Sequence, residues 1–225
     1  MGELGLLGLT FPTEYGGSGM DSLAAVILSE ELARSGFGGV ASSVTVQTDF
    51  SASHLVRVGN AAQRARFLPD VIAGKRVCAL GITEPGAKGF SLFVVERNSP
   101  GFSNGTKFEK AGWHCSDTGE LVFDDCPVPA DNLIGEEGQG FYHALAGLEH
   151  ERLCLAAQAG AMAELAMERT LAWLRERPGY GRKLWELQSL RHELARFSSE
   201  LTAAKSLLYL TAAKTSRGED IKIEA

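Results

Sequence analysis

The C-terminal part of the chain, from about residue 137, constrains the fold most, because apolar residues recur there at helical spacing over a long stretch. One helix is predicted from about Gly140 to Arg177 and another from near Leu184 to about Ser216, and the sequence RPGYGRK at 177–183 separates them. The second helix carries one apolar stripe, formed by Leu184, Leu187, Leu190, Leu194, Phe197, Leu201 and Leu208. A stripe of this kind is typical of an antiparallel helical bundle.

Residues 1–75 also have a helical pattern, which glycine-rich turns interrupt. Asp21 is predicted to cap the first helix, because its side chain can accept a hydrogen bond from the first helical turn. A second helix is expected at about 47–58, and a third is expected to begin after Asn60 and to stop near Pro69. This part of the chain is therefore predicted to form a helical domain.

The middle of the chain changes character, because segments rich in β-branched and aromatic residues alternate there with turn sequences. The predicted strands are RVCALGIT at 76–83, FSLFVVER at 90–97 and LVFDDCPV at 121–128. The order of helical, β and helical segments predicts an α+β protein. Its expected parts are an N-terminal helical domain at 1–75, a middle antiparallel β domain at 76–136 and a C-terminal antiparallel helical bundle at 137–225.

Composition excludes several classes of function. The 225 residues carry a formal net charge of -6, which argues against nucleic acid as a partner. No apolar run reaches the length of a membrane span, and no glycine-rich dinucleotide fingerprint supports a nicotinamide cofactor. The cysteines show no CxxC spacing and are predicted to be reduced, buried thiols, at Cys78, Cys115, Cys126 and Cys154. The expected compartment is the bacterial cytoplasm or, in a eukaryote, the mitochondrial matrix.

A cluster of ionisable residues stands at the head of an apolar run in GLEHERLCLAA, at 147–157. On a helix, the residues three and four positions from Glu151 are apolar, whereas Glu149 can pair with Arg152. A desolvated carboxylate has a raised pKa and tends to take up a proton, which makes Glu151 a candidate general base. The alternative is that Glu151 marks the start of a buried helix face. No metal site is predicted, because Glu149 and Glu151 face different ways and no HExxH spacing occurs.

Six segments, in order along the chain, resemble successive motifs of the acyl-CoA dehydrogenase family. They are LGLTFPTEYGGSGMD, LSEELAR, ITEPGA, GWHCSDTGELVFDDCPVPADNLIGEEGQGF, LEHERLCLA and RPGYGRKLWELQ. The last segment has the family pattern R-x-x-F-G-x-x-L-x-x-x-Q, with Tyr180 in place of Phe. The form GW-x-x-SDT-x-EL and the tripeptide ERL resemble the long-chain type of the family most closely.

The resemblance implies an FAD-dependent enzyme of fatty acid β-oxidation that converts an acyl-CoA to the trans-2-enoyl-CoA. In the long-chain and isovaleryl members, a Glu directly before Arg-Leu takes the α-proton while hydride passes from Cβ to flavin N5. Glu151 is the matching residue. Glu149 and Arg152 match positions that contact the coenzyme A part of the substrate, and the alternative for this pair is a salt bridge on the helix surface.

Other matches concern the cofactor and the assembly. Ile82 and Thr83 match the strand end that hydrogen-bonds the flavin, and the alternative is an ordinary end of a strand. Arg177, Tyr180 and Gln188 belong to a motif that reaches the FAD of a neighbouring subunit, so the resemblance implies a homodimer or homotetramer. The implied electron acceptor is an electron-transfer flavoprotein. Two alternatives stay open: an acyl-CoA oxidase or related flavoprotein of the same fold, and a non-catalytic scaffold, against which the presence of Glu151 argues.

The chain departs from the family pattern in two places. After ITEPGA the sequence continues with KGFSLFVVER, which matches a much later part of the family's β domain, so several dozen residues are expected to be missing around 86–88. The chain also stops at DIKIEA, where the family's C-terminal helical domain continues. The expectation is therefore an incomplete chain, and the functional interpretation refers to the full protein.

Overall fold

The structure, a computed structural model, describes residues 1–81 and 89–224 and is built mainly from helices. A π-helical segment, Val46–Ala52, lies between the helices Gly38–Thr45 and Ser53–Val58. Short 3₁₀ turns lie at Leu6–Gly8, Thr13–Tyr15, Ala130–Asn132 and Leu184–Glu186. The α-helices are α1 Ser22–Arg34, α2 Gly38–Thr45, α3 Ser53–Val58, α4 Ala61–Ile72, α5 Gly140–Glu176 and α6 Gln188–Ser216.

Side-chain caps start two helices where the sequence predicts them. Asp21 accepts a hydrogen bond from the backbone N–H of Ala24 at 3.2 Å, and α1 begins directly after it. Asn60 and Gln63 form a reciprocal capping box at the start of α4, with both distances at 2.9 Å. These local hydrogen bonds satisfy backbone donors that would otherwise lack partners.

Two predicted helix boundaries are wrong. The helix expected at 47–58 begins earlier, because α2, the π-helical segment and α3 follow one another without a break from Gly38. α4 passes Pro69 and ends at Ile72 rather than stopping at the proline. Pro69 lies in the last turns of α4, where the residues around it are buried in an apolar core, and this packing holds the helix together.

The β region is smaller than predicted. Antiparallel pairs join β1, Leu92–Phe93, to β4, Leu133–Ile134, and join β2, Phe102–Lys107, to β3, Gly119–Phe123. Within the described part of the predicted strand 76–83, residues 76–81 form no strand. The order of helical, β and helical regions is nevertheless confirmed.

Side-chain hydrogen bonds replace the expected strand pairing at 76–81. The Gln47 side chain accepts from the backbone N–H of Cys78 at 2.7 Å and donates to the carbonyl of Arg76 at 2.9 Å. This segment is therefore held against the π-helical segment by an amide side chain rather than by a neighbouring strand.

Helices α5 and α6 run antiparallel, as predicted for a bundle. Near the turn between them, Arg175 lies over the ring of Trp185, whereas farther along Lys205 reaches Glu164 at 3.1 Å. A small hairpin of β5, Pro178–Gly179, and β6, Arg182–Lys183, makes the turn. The predicted apolar stripe of α6 is only partly covered, since Leu208 is buried but Phe197 is 44% exposed.

Two apolar clusters pack the elements together, and the first of them includes α5. One cluster packs α1 against α5 and α6, through Val26, Leu153, Ala157, Leu208, Ala212 and Ile221. The other joins α3, α4 and β4, through Phe11, Ala52, Leu55, Phe67, Leu68, Val71, Ile72 and Ile134. Since burial of each large apolar side chain contributes about 1.5–3 kcal/mol, the first cluster holds α5 against α1 and α6, and the second holds α3 against α4.

The structure can be compared with two predictions drawn from composition, one on the cysteines and one on membrane spans. All four cysteines are free, but only Cys154 is buried, while Cys115 is exposed and Cys78 and Cys126 are half-buried. The prediction of four buried thiols is therefore wrong for three of them. None of the helices within residues 1–81 and 89–224 combines the length with the apolar character that a bilayer crossing requires.

Candidate active site

Glu151 points into the protein from the first half of α5, with only 6% of its surface exposed. Its neighbours Leu153 and Cys154 are buried against α1, which turns this side of α5 inward. No hydrogen bond or ion pair holds the carboxylate among the described residues. Burial therefore raises the pKa of the Glu151 carboxyl group above its usual range.

Arg57 of α3 brings a positive charge close to this carboxylate. A Cβ atom added at Gly147 would lie 2.8 Å from Arg57 Cζ and 3.0 Å from Glu151 Oε1, so the guanidinium and the carboxylate border the same gap. Arg57 lowers the pKa of Glu151 and so opposes the larger effect of burial. Burial in turn lowers the pKa of Arg57, and the Glu151 charge opposes that shift.

A buried histidine accepts the hydrogen bond that Arg57 donates. Arg57 Nη2 lies 3.0 Å from His54 Nδ1. Burial, followed by the charges of Arg57 and His143, lowers the pKa of His54 to about 4, so its imidazole is neutral near pH 7 and can accept. His143 Nε2 is also buried and has no hydrogen-bond partner in the described part of the chain.

A second polar network adjoins Glu151. His150 Nε2 lies 2.9 Å from Asp49 Oδ1, and Asp49 Oδ2 accepts a hydrogen bond from Thr48 Oγ1 at 2.7 Å. Cys154 Sγ lies 3.8 Å from the same His150 nitrogen. The network ties the π-helical segment to α5, because Asp49 belongs to the former and His150 to the latter.

One oxygen, one nitrogen and one sulfur of this network, from Asp49, His150 and Cys154, lie within 4.8 Å of one another. A metal ion would need the thiolate form of Cys154, but burial raises the pKa of that thiol well above its usual range. Asp49 and His150 already use each other as partners. The group is therefore best described as a hydrogen-bonded network, and the expectation of no metal site stays a prediction.

Comparison with known proteins decides the family. A family model described as "Acyl-CoA dehydrogenase, N-terminal domain" matches residues 1–75, and one described as "Acyl-CoA dehydrogenase, C-terminal domain" matches residues 138–225. A short-chain specific acyl-CoA dehydrogenase of Megasphaera elsdenii is 31% identical, over 99% of this chain and 72% of its own length. The chain belongs to the acyl-CoA dehydrogenase family.

Other members of the acyl-CoA dehydrogenase family cover a similar share of the chain. The mitochondrial isovaleryl-CoA dehydrogenase of Oryza sativa subsp. japonica is 32% identical over 97% of this chain, which spans 65% of that enzyme's length. That alignment runs over 267 positions, whereas this chain has 225 residues, so the rice enzyme has several dozen positions without a counterpart here. A solved acyl-CoA dehydrogenase of Bacillus anthracis, complexed with FAD, superposes with a TM-score of 0.88 at 26% identity, over 94% of this chain and 44% of its own.

The residues predicted to contact coenzyme A lie beside Glu151 on α5. Glu149 is half-buried and Arg152 is exposed. No ion pair joins these two residues, so the structure does not show the alternative of a salt bridge on the helix surface.

The residues predicted to contact FAD fall into two groups. Ile82 and Thr83, like the expected gap around 86–88, lie outside the described residues. Arg177, Tyr180 and Gln188 lie at the hairpin between α5 and α6 and are all exposed. At a rise of 1.5 Å per residue, α5 separates this hairpin from Glu151 by roughly 40 Å.

Sequence reasoning missed the polar side chains that the helices before α4 supply to the site. Asp49, Ser53 and Arg57 follow one another at four-residue steps, and His54 lies three residues before Arg57. Asp49, Ser53 and His54 are all buried. The sequence signal for these residues is a row of polar side chains at helical spacing between apolar residues. Only the packing of α3 and the π-helical segment on α5 shows that this polar row faces the protein interior.

Proposed function

We propose that the full-length protein is an FAD-dependent acyl-CoA dehydrogenase that converts an acyl-CoA thioester to the trans-2-enoyl-CoA, with Glu151 as the base. The observation that carries the proposal is the state of Glu151. It is buried, has no hydrogen-bond partner among the described residues, and occupies the place before Arg-Leu where isovaleryl and long-chain members hold their base. When bound, FAD would accept the hydride that leaves Cβ of the substrate.

The surroundings of Glu151 suit proton abstraction from a weak carbon acid. A solvated carboxylate is a poor base for an α-proton, whereas a carboxylate with little water around it gains more by taking up the proton. After transfer, Glu151 is a neutral acid, which is the form that burial favours. Glu149 and Arg152, on the same helix, are proposed to hold the coenzyme A part of the thioester at the mouth of the site.

The cofactor residues are proposed to serve two different active sites. Ile82 and Thr83 would hydrogen-bond the flavin of their own subunit. Arg177, Tyr180 and Gln188 are too far from Glu151 to reach a flavin placed beside it. Their exposure, and the forked donors of Arg177, suit contact with the diphosphate end of a neighbouring subunit's FAD, so the proposed assembly is a homodimer or homotetramer.

The test of the proposed function uses Glu151→Gln in the full-length, FAD-loaded enzyme. Without oxygen, saturating acyl-CoA should bleach the flavin of the wild type. In the variant this rate should fall by about a hundred- to ten-thousand-fold, because the amide keeps the size of the side chain and removes its basicity. Binding of a non-reactive acyl-CoA thioether should be retained. Bleaching of the variant at the wild-type rate would show that the base lies elsewhere.

The acyl group and the electron acceptor are the finer parts of the proposal. The placement of Glu151 is shared by the long-chain and isovaleryl types, while the relatives described above are named for isovaleryl-CoA and short-chain substrates. Flavin reduction with isovaleryl-, butyryl- and palmitoyl-CoA will assign the type.

We propose an electron-transfer flavoprotein as acceptor, and rapid reoxidation of the reduced enzyme by oxygen alone would instead indicate an acyl-CoA oxidase. The proposed location is the bacterial cytoplasm or the mitochondrial matrix.

A further inference from the structure

Arg57 is a half-buried cation with no carboxylate in direct contact among the described residues. Its hydrogen bond to His54 goes to a neutral imidazole, which leaves the positive charge of the guanidinium uncompensated. A guanidinium in such surroundings normally pairs with a carboxylate, because removing it from water is unfavourable. The nearest candidate is Glu151, which borders the same gap.

Gly147 makes this arrangement possible. Any residue with a side chain at position 147 would place a Cβ atom on top of Arg57 Nη2 and 2.8 Å from its Cζ. Gly147 lies one helical turn before Glu151 on α5, so the glycine opens the space directly above the carboxylate. The guanidinium of α3 fills that space.

The other charged groups that face Glu151 oppose one another. Asp49 raises the pKa of Glu151 and His150 lowers it, and these two residues are bonded to each other at 2.9 Å. Cys154, on the same side of α5, is a neutral thiol because burial raises its pKa. Arg57 is therefore the charged group whose effect on the pKa of Glu151 is not balanced by an opposite charge bonded to it.

From this geometry, we propose that Arg57 is a positioning residue for the base. Seated over Gly147, its guanidinium keeps Glu151 an ionised carboxylate in the resting site. The inference rests on the proposed role of Glu151 and adds the reason why that residue is ready to accept a proton. Burial by itself would favour the neutral acid, which cannot abstract the α-proton, and the nearby cation opposes that preference.

The test measures the pH dependence of flavin reduction in the full-length, FAD-loaded enzyme. An opposite charge next to a carboxyl group shifts its pKa by at least about one unit. Arg57→Gln should therefore move the rising limb of the pH–rate profile to higher pH by about one unit or more. The rate should then be lowered about tenfold or more at pH values below the limb and recover at high pH. Arg57→Lys should restore most of the wild-type profile, and Arg196→Gln, which removes a charge from the exposed face of α6, should leave it unchanged.

Two further measurements separate the possible failures. Gly147→Ala should shift the rising limb of the pH–rate profile in the same direction as Arg57→Gln, since it displaces the guanidinium without removing it. If Arg57→Gln loses its flavin, Gly147→Ala and Arg57→Lys together still test the role of Arg57. The infrared band of a protonated carboxyl that Glu151→Gln abolishes should persist to higher pH in Arg57→Gln. If Arg57→Gln lowers the rate equally at every pH, the proposed role of Arg57 is overturned. The same holds if Arg57→Gln leaves the pH–rate profile unchanged while Glu151→Gln is inactive, and in both cases the proposed function stands. An active Glu151→Gln would overturn the proposed function itself.

Discussion

At the scale of single residues, His54 shows how burial sets the charge of a side chain in this site. The ring is 3% exposed, and burial together with the charges of Arg57 and His143 lowers its pKa to about 4. In an unfolded chain the same imidazole titrates near pH 6.5. The unfolded state therefore binds more protons than the folded state between these two values, so the contribution of His54 to stability is lost as the pH falls from about 6.5 to about 4.

Replacing His54 should reduce the sensitivity of the protein to acid. Between pH 7 and pH 4 the wild type should lose about 2–3 kcal/mol more free energy of unfolding than His54→Gln, since the glutamine has no proton to bind. Denaturant unfolding of the full-length protein at several pH values measures this difference. His114→Gln serves as the control, because His114 is exposed. Equal acid sensitivity of wild type and His54→Gln would contradict the prediction.

At the scale of secondary structure elements, the orientation of α5 decides which of its residues reach the site. Leu153 is 3% exposed and packs with Val26 of α1 and Leu208 of α6. Leu155, two residues later, is 38% exposed. Because Leu153 fixes the rotation of α5 about its own axis, it also fixes the direction in which Glu151 points.

Truncation of Leu153 should therefore affect both stability and the site. Leu153→Ala should lower the free energy of unfolding by about 2–5 kcal/mol, through lost burial and the cavity that remains. Leu155→Ala, the control on the same helix, should change it by less than about 1 kcal/mol. Thermal or denaturant unfolding of the two full-length variants gives the comparison. Similar losses for the two variants would mean that α5 is rotated relative to the arrangement described above.

At the scale of the whole molecule, the length of α5 separates two functional regions. Glu151 lies near α1 and α3, whereas Arg177, Tyr180 and Gln188 lie at the exposed hairpin at the far end of α5. Tyr180 is 86% exposed, an unusual state for a large aromatic side chain that has no partner to contact. Contact of the hairpin with another subunit would cover this exposed aromatic ring.

Arg177→Ala in the full-length enzyme should lower FAD retention, because the proposed contact of its guanidinium with the cofactor of a neighbouring subunit is removed. Arg182→Ala is the control, since Arg182 is an exposed arginine in the same hairpin. Flavin content after gel filtration, together with the oligomeric state, measures the effect. Unchanged flavin content and unchanged assembly in Arg177→Ala would count against the interface.

The sequence by itself determined the features that depend on neighbours along the chain. Asp21 and Asn60 start their helices because a capping side chain acts within one turn. α5 begins at Gly140, as predicted, and Glu151 is buried, as its helical neighbours indicated. The resemblance of six motifs identified the family, which the comparisons confirm.

Only the tertiary structure decided which distant segments share the site. Arg57 and Asp49 meet Glu151 and His150 because the helices that carry them pack on α5, and no local pattern states which face of one helix will meet which face of another. The segment 76–81 has a strand-like composition but hydrogen-bonds to Gln47. Strand pairing depends on a partner elsewhere in the chain, so composition could not predict it, whereas a cap or a helical stripe needs only the residues beside it.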